Sequence, residues 1–219
     1  IKVNQGGSGT GIQAMDDITP TVWEEADGAG LSAGITKVKG TSAGATIQVT
    51  PDMTPDGLTA VLAWSPDSDG SSSTNDKGTG GDSGTLSNGW DLTLTATDEL
   101  HGISGLTLYG GLSRVDQFDN ATSIGGDSEE RVLGLKYAVG ALTVGVQQNN
   151  DDTGLVTSGE YDNLMYSATF NVNDDLSIGY GHVESEKKDS NTAEADSVQI
   201  AYTMGGATFR VAEIKVDNQ

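Results

Sequence analysis

The sequence contains no cysteine, so disulfides, thiolate metal sites and cysteine nucleophiles are excluded together. Cations are also scarce: 11 Lys and Arg stand against 32 Asp and Glu, a formal charge of −21. A nucleic-acid surface needs clustered Lys and Arg to neutralise phosphate, which excludes nucleic acid as a partner. No apolar run reaches the roughly 18 residues of a transmembrane helix. Membrane-crossing strands carry a weaker signal and stay open. Three Phe and three Trp in 219 residues are thin filling for the interior of a soluble β barrel or sandwich. The chain starts Ile1-Lys2-Val3-Asn4, with neither initiator Met nor signal peptide, as expected of a mature chain or a piece of one.

What the sequence does have is alternation. Ala45, Ile47 and Val49 alternate with Thr46 and Gln48. Leu58 to Trp64 and Trp90 to Ala96 repeat the pattern, and so do Leu106 to Leu112, Leu133 to Val139, and Leu142 to Val146. Leu164 to Val172, Leu176 to Tyr180, Val198 to Met204, and Phe209 with Val211 complete the series. Period-2 runs of this length read as half-buried strands. Short links at 51–57, His101-Gly102, Gly140, Asn173–Asp175 and Gly205-Gly206 alternate with long polar stretches at 66–88, 116–129, 149–159 and 184–194. These stretches of Ser, Asp, Gly, Thr and Asn cannot bury apolar surface. The pattern predicts an all-β, antiparallel up-and-down meander with every long loop at one end.

Its apolar face carries almost no charge, while the other face is Thr, Ser, Gln, Asn and Gly. Run lengths cluster near the ~9–11 residues with which a tilted strand crosses a bilayer. Trp64 and Trp90 flank a long loop, whereas Phe170, Tyr202 and Phe209 sit near short turns, as two interfacial girdles would. Outward Leu and Val against lipid need no jigsaw packing. The rival is a soluble or surface-attached all-β structural protein, adhesin-like, whose acidic loops bind cations.

Gln13 to Gly30 breaks the alternation. Asp16, Asp17, Glu24, Glu25 and Asp27 crowd around Pro20 and Trp23 with no basic residue between them. Residues 7–40 read as an insert into a single domain, 1–219, whose meander occupies 41–219. Such an insert either narrows a pore or is a solvated loop. Gly9-x-Gly11-x-x-Ala14 imitates a dinucleotide fingerprint, but Asp16, Asp17 and Pro20 follow it in place of an amphipathic helix, so it reads as loop.

Among wall residues, Asp91, Lys136 and Arg210 have the parity of the polar face, and Lys37 and Lys39 have no clear strand phase. Arg114 and Arg131 share the apolar parity near the long-loop end and are expected at a rim. Glu213 is read as out of phase with Phe209 and Val211, at a rim or a bulge. Asp67-Ser68-Asp69 and Asn149 to Asp152 offer hard oxygens, making Asp67, Asp69, Asp151 and Asp152 a candidate calcium site. Neither stretch has full ligand spacing with a terminal Glu, and no other cofactor is expected. His101 and His182 stand alone, without a partnered Ser or a ligand set, so no enzyme is expected.

The insert Met15-Asp-Asp-Ile-Thr-Pro-Thr-Val-Trp-Glu-Glu, Ala45-Thr-Ile-Gln-Val-Thr-Pro-Asp-Met followed by Gly57-Leu-Thr-Ala-Val, and Gly105-Leu-Thr-Leu-Tyr-Gly-Gly carry a resemblance. The chain resembles the general diffusion porins of Gram-negative outer membranes, particularly those of marine α-proteobacteria. The resemblance implies a sixteen-stranded barrel, a homotrimer, and a third long loop folded inward as a constriction. It also implies an outer-membrane setting among lipid and lipopolysaccharide, with small hydrophilic solutes passing. On that plan Ile1 to Asn4 ends the fifth strand, Gln13 to Gly30 is the infolded loop with Asp16, Asp17, Glu24, Glu25 and Asp27 as its acidic rim, and Phe209 opens the fifteenth strand. The first strands and the closing strand are then missing. An open sheet leaves backbone groups unpaired in hydrocarbon, so the expectation is a fragment, or else a complete smaller barrel of about ten strands.

Overall fold

The computed structural model describes residues 1–5, 11–23, 45–66, 68, 86–117, 125–157 and 159–218. Strands β1 Lys2–Gln5, β2 Ala45–Val49, β3 Leu58–Ser65, β4 Leu86–Ala96, β5 Leu106–Gln117 and β6 Ser128–Val139 are followed by β7 Leu142–Asp152, β8 Glu160–Asn171, β9 Leu176–Lys187, β10 Thr192–Met204 and β11 Ala207–Asp217. All are antiparallel neighbours in chain order within one sheet. A 3-10 helix, Gly11–Ile18, lies between β1 and β2, and one helical turn, α1 Asp98–His101, links β4 to β5. Gly102 closes α1 at φ 76°, its N–H donating to the Asp98 carbonyl at 2.7 Å; Gly takes this left-handed cap without a Cβ penalty. Among the described residues β1 and β11 stand at the two ends of the sheet order, so these strands do not close the smaller ring that was one expectation.

Burial inverts the rule for soluble sheets. Asp91, Thr93, Ser113, Glu130, Gln147, Asn149, Asn163, Ser197 and Gln199 are buried, whereas Leu62, Leu108, Leu133, Phe170, Ile178, Val198 and Ile200 are exposed. Polar residues therefore face inward and the apolar face outward, the arrangement of a sheet bathed in lipid.

The edge of the outward apolar band gives the strand tilt. Apolar gives way to polar between Trp90 and Asn88 on β4, Leu112 and Arg114 on β5, Val146 and Gln148 on β7, Tyr180 and His182 on β9, Val198 and Asp196 on β10, and Val211 and Glu213 on β11. This boundary does not follow the hydrogen-bonded rows. One row runs Leu108, Leu135, Val146, Tyr166, His182, Asp196, Lys215, starting inside the band and ending among charges. From β5 to β11 the boundary slips by about eight residues over six strand spacings, and at ~3.4 Å per residue and ~4.8 Å between strands that is a tilt of roughly 40°. Barrel strands tilt by about this amount.

Three expectations are corrected. The stretch 184–194 is mostly strand: β9 runs to Lys187 and β10 starts at Thr192, so this connection is short. Its outward Glu184, Glu186 and Glu194 look like loop residues only because their strands rise above the apolar band. Likewise β7 extends to Asp152. Glu213 pairs with Val198 and shares a face with Phe209 and Val211, without a bulge. The tilt brings the boundary below it.

Candidate functional site: an inward wall and the segment laid across it

Because side chains alternate faces, each strand contributes every second residue to the inward wall. Asp91, Ser113, Glu130 and Asp151 are consecutive register partners on β4 to β7, and all are buried. Three carboxylates thus occupy one row. The adjacent row places Val132, Asn149, Asn163 and Ser185 side by side. Tyr109 reaches over β6 to Gln147, its hydroxyl donating at 2.7 Å.

Across this wall lies the segment Gly11 to Trp23. At its start the Gly11 N–H donates to Gln48 Oε1 at 3.4 Å and the Ile12 N–H to Asp91 Oδ2 at 3.0 Å. Ile12 and Met15 are buried in a cluster with Tyr109 and Val132, with Ile18 at its edge. At its far end Gln199 Oε1 accepts the N–H groups of Val22 at 3.2 Å and Trp23 at 3.3 Å. The Gln199 amide is itself oriented by donating to Ser197 Oγ at 3.0 Å. The segment therefore spans from β2 and β4 to β10. The helix forms here because Ile12, Met15 and Ile18 recur at three-residue spacing, the period of a 3-10 turn.

Asp16 lies on this helix, half-buried; Asp17 is in the same helix. Glu24, Glu25, Asp27, Lys37, Lys39, Asp67 and Asp69 lie outside the described residues. Asp91 is on the wall and holds the helix start. Lys136 and Arg210 have inward register, Lys136 beside Gly145 and Arg210 beside Ala201. Asp151 is buried on the inward face while Asp152 is on the outward one, accepting the Gly154 N–H at 2.9 Å. These two neighbours cannot chelate one ion together. Sequence reasoning missed Glu130, Asn163 and Gln199, and it read Asn149 as a loop oxygen where the structure has it buried on the wall. Glu130 was available from the β6 alternation of Ser128, Glu130 and Val132 against Glu129, Arg131 and Leu133.

The outward rim above the apolar band is ionic. Arg114 pairs with Asp127 at 2.6 Å and Glu129 at 3.4 Å, Arg131 with Glu129 at 2.9 Å, and Lys188 with Glu160 at 3.0 Å. In the turn after β9, the hydrogen bond and charge of Glu160 hold the Lys188 ammonium above its ordinary range. His182 stacks on Tyr166 with ring centroids 4.7 Å apart, and its two nitrogens lie 2.8 Å from Asp196 and 3.2 Å from Glu184. His101 is in α1 at the opposite, short-turn end.

An antiparallel meander with an apolar exterior, a polar wall, a roughly 40° tilt and a segment folded against the wall defines the class of outer-membrane β-barrel channels. The family model for Gram-negative porins matches residues 4–215; the chain belongs to this family, whose members reside in the outer membrane. Similar solved structures include OmpF of Salmonella typhi in complex with daunomycin (TM-score 0.56, 14% identity, 77% of this chain and 54% of that one). The anion-selective porin of Comamonas acidovorans is similar at TM-score 0.56 and 16% identity, over 80% of this chain and 49% of that one. In vitro folded OmpT of Vibrio cholerae gives TM-score 0.53 and 13% identity, over 80% and 54%. The chain spans about half the length of these porins. No curated protein sequence matches it.

Proposed function

We propose that this chain forms the wall and the constriction of a passive diffusion channel for small hydrophilic solutes and ions, assembled as a homotrimer. The observation that supports this best is the segment Gly11 to Trp23 bound across the polar face of a sheet whose apolar face is turned outward. Asp16 and Asp17, with Glu24, Glu25 and Asp27 following in sequence, supply the acidic rim of the narrow section. Asp91, Lys136 and Arg210 are wall charges, and Lys37 and Lys39 are cations of the insert. In a constriction water is scarce and fixed charges act through a lower effective dielectric, so a few carboxylates bias ion entry. The net acidity favours cations. The paired rim of Arg114, Arg131 and Lys188 with their carboxylates faces lipid headgroups and lipopolysaccharide.

The test is single-channel recording of the protein in a planar bilayer under a salt gradient. Openings in groups of three with a cation-selective reversal potential are expected, and replacing Glu24 and Glu25 by Gln shifts that potential towards anions. Well-inserted protein that never conducts overturns the channel.

A further inference from the structure

Several of the points where the segment meets the wall, and Gly134 beside them, share one depth. Measured along each strand from the edge of the apolar band, Asp91 on β4, Gly111 on β5, Gly134 on β6, Gly145 on β7, Gly179 on β9 and Gln199 on β10 each lie two residues towards the short-turn end. The strands are tilted, so these six do not lie on one hydrogen-bonded row, and only Gly179 and Gln199 among them are register partners; the alignment of the rest appears only relative to the membrane plane. At ~3.4 Å per residue and a tilt near 40°, the shared depth is about 5 Å below that edge.

At this depth Asp91 and Gln199 hold the two ends of the segment by hydrogen bonds, and the glycines make room for what lies between. A Cβ built on Gly111 would stand 3.1 Å from Ile12 Cγ1, one on Gly145 2.4 Å from Pro20 Cδ, and one on Gly179 2.7 Å from Val22 Cγ2. None of these three has the positive φ that would call for glycine on backbone grounds. Close approach of the segment is what each one allows. Gly134 admits the Tyr109 ring instead, with Tyr109 Cζ 2.3 Å from such a Cβ.

We propose that Gly111, Gly145 and Gly179 form a level shelf that seats Ile12, Pro20 and Val22 at one depth and thereby sets the bore of the channel. They are positioning residues for permeation: they touch the segment, not the solute. This rests on the channel reading above. A methyl on Gly145 needs ordinary contact of ~3.5–4.0 Å in place of 2.4 Å, which lifts Pro20 by a little over 1 Å away from the wall and towards the pore axis.

The test records single-channel conductance of Gly145→Ala and Gly179→Ala in the full chain. It is joined to acrylamide quenching of Trp23 with Trp64 and Trp90 replaced by Phe. Gly126→Ala is the control, since nothing lies within 4 Å of a Cβ there. Expected are a conductance drop of about one-fifth or more and increased Trp23 quenching in both shelf variants, with neither change in the control. Adding Pro20→Ala to Gly145→Ala removes the colliding ring atoms and restores the conductance. This rescue separates a lifted segment from a damaged barrel. Unchanged conductance in a conducting protein overturns the shelf, whether or not Trp23 responds. A wild-type protein that inserts but stays silent instead overturns the channel reading, while its Trp23 response still reports the seating.

Discussion

Tyr109 lies over Gly134 and donates its hydroxyl to Gln147 at 2.7 Å. One aromatic ring thus bridges β5 to β7 across the strand between them, in the space a side chain on β6 would fill. Both ends are buried, Tyr109 at 2% and Gln147 at 0% exposure. Removing the hydroxyl leaves Gln147 with a lost partner, and Tyr109→Phe is expected to cost about 1 kcal/mol. Gly134→Ala displaces the whole ring and is expected to cost about 1–3 kcal/mol, as overpacking does. Urea titration of the protein folded into lipid vesicles measures both. A larger loss for Tyr109→Phe than for Gly134→Ala contradicts this ordering.

Ile12 is the apolar anchor of the inserted segment and Asp91 its polar one. Ile12→Ala removes a fully buried side chain and is expected to weaken docking of the segment by about 2–4 kcal/mol. The sheet itself does not depend on this contact. The strands should therefore stay folded while protease cleaves within residues 11–23 much faster than in the wild type. Asp91→Ala should act the same way through the lost Ile12 N–H bond, by about 1–3 kcal/mol. Global unfolding in either variant would show that the segment is part of the sheet's own stability.

Much of this architecture was legible beforehand. Strand positions, inward and outward parity and the short turns follow from period-2 alternation, and Arg114 and Arg131 fell at the rim as their parity and place along the strand required. Tilt was not legible. It is a relation between strands, so the outward charges of Glu184, Glu186 and Glu194 looked like loop although they extend strands above the band. The anchors of the insert were hidden for the same reason. Nothing local distinguishes Gln199 from any other polar residue of the inward face; its role depends on Val22 and Trp23 arriving beside it from some 177 residues away. The shelf glycines read as ordinary strand glycines until their depths are compared.

The outward band predicts a depth-dependent penalty. Leu135 lies mid-band on β6, between Leu133 and Tyr137, while Asp162 lies just above the edge on β8. Leu135→Arg is expected to lower folding stability in vesicles by about 2–4 kcal/mol, and Asp162→Lys to change it by only about 0–1 kcal/mol. Similar penalties at the two positions would mean that the band edge has been drawn at the wrong height.

Arg210 carries the last prediction. On β11 it has inward parity, paired with Ala201, and it sits two residues below the band edge at Val211 and Glu213. That is the depth of Asp91 and Gln199, so a cation stands at the level of the bound segment, opposite in sign to the acids the segment carries. Arg210→Gln removes this charge and should raise the cation-over-anion permeability ratio by about twofold at ~0.1 M salt, where the Debye length is ~10 Å. At ~1 M the screening length falls to ~3 Å and the difference should fade. Arg210→Lys keeps the charge and should keep the ratio. Arg114→Gln neutralises a cation on the outward rim, remote from permeating ions, and should leave the reversal potential where it was. If Arg114→Gln shifts it as much as Arg210→Gln does, the selectivity arises from net charge at the mouth and not from the constriction.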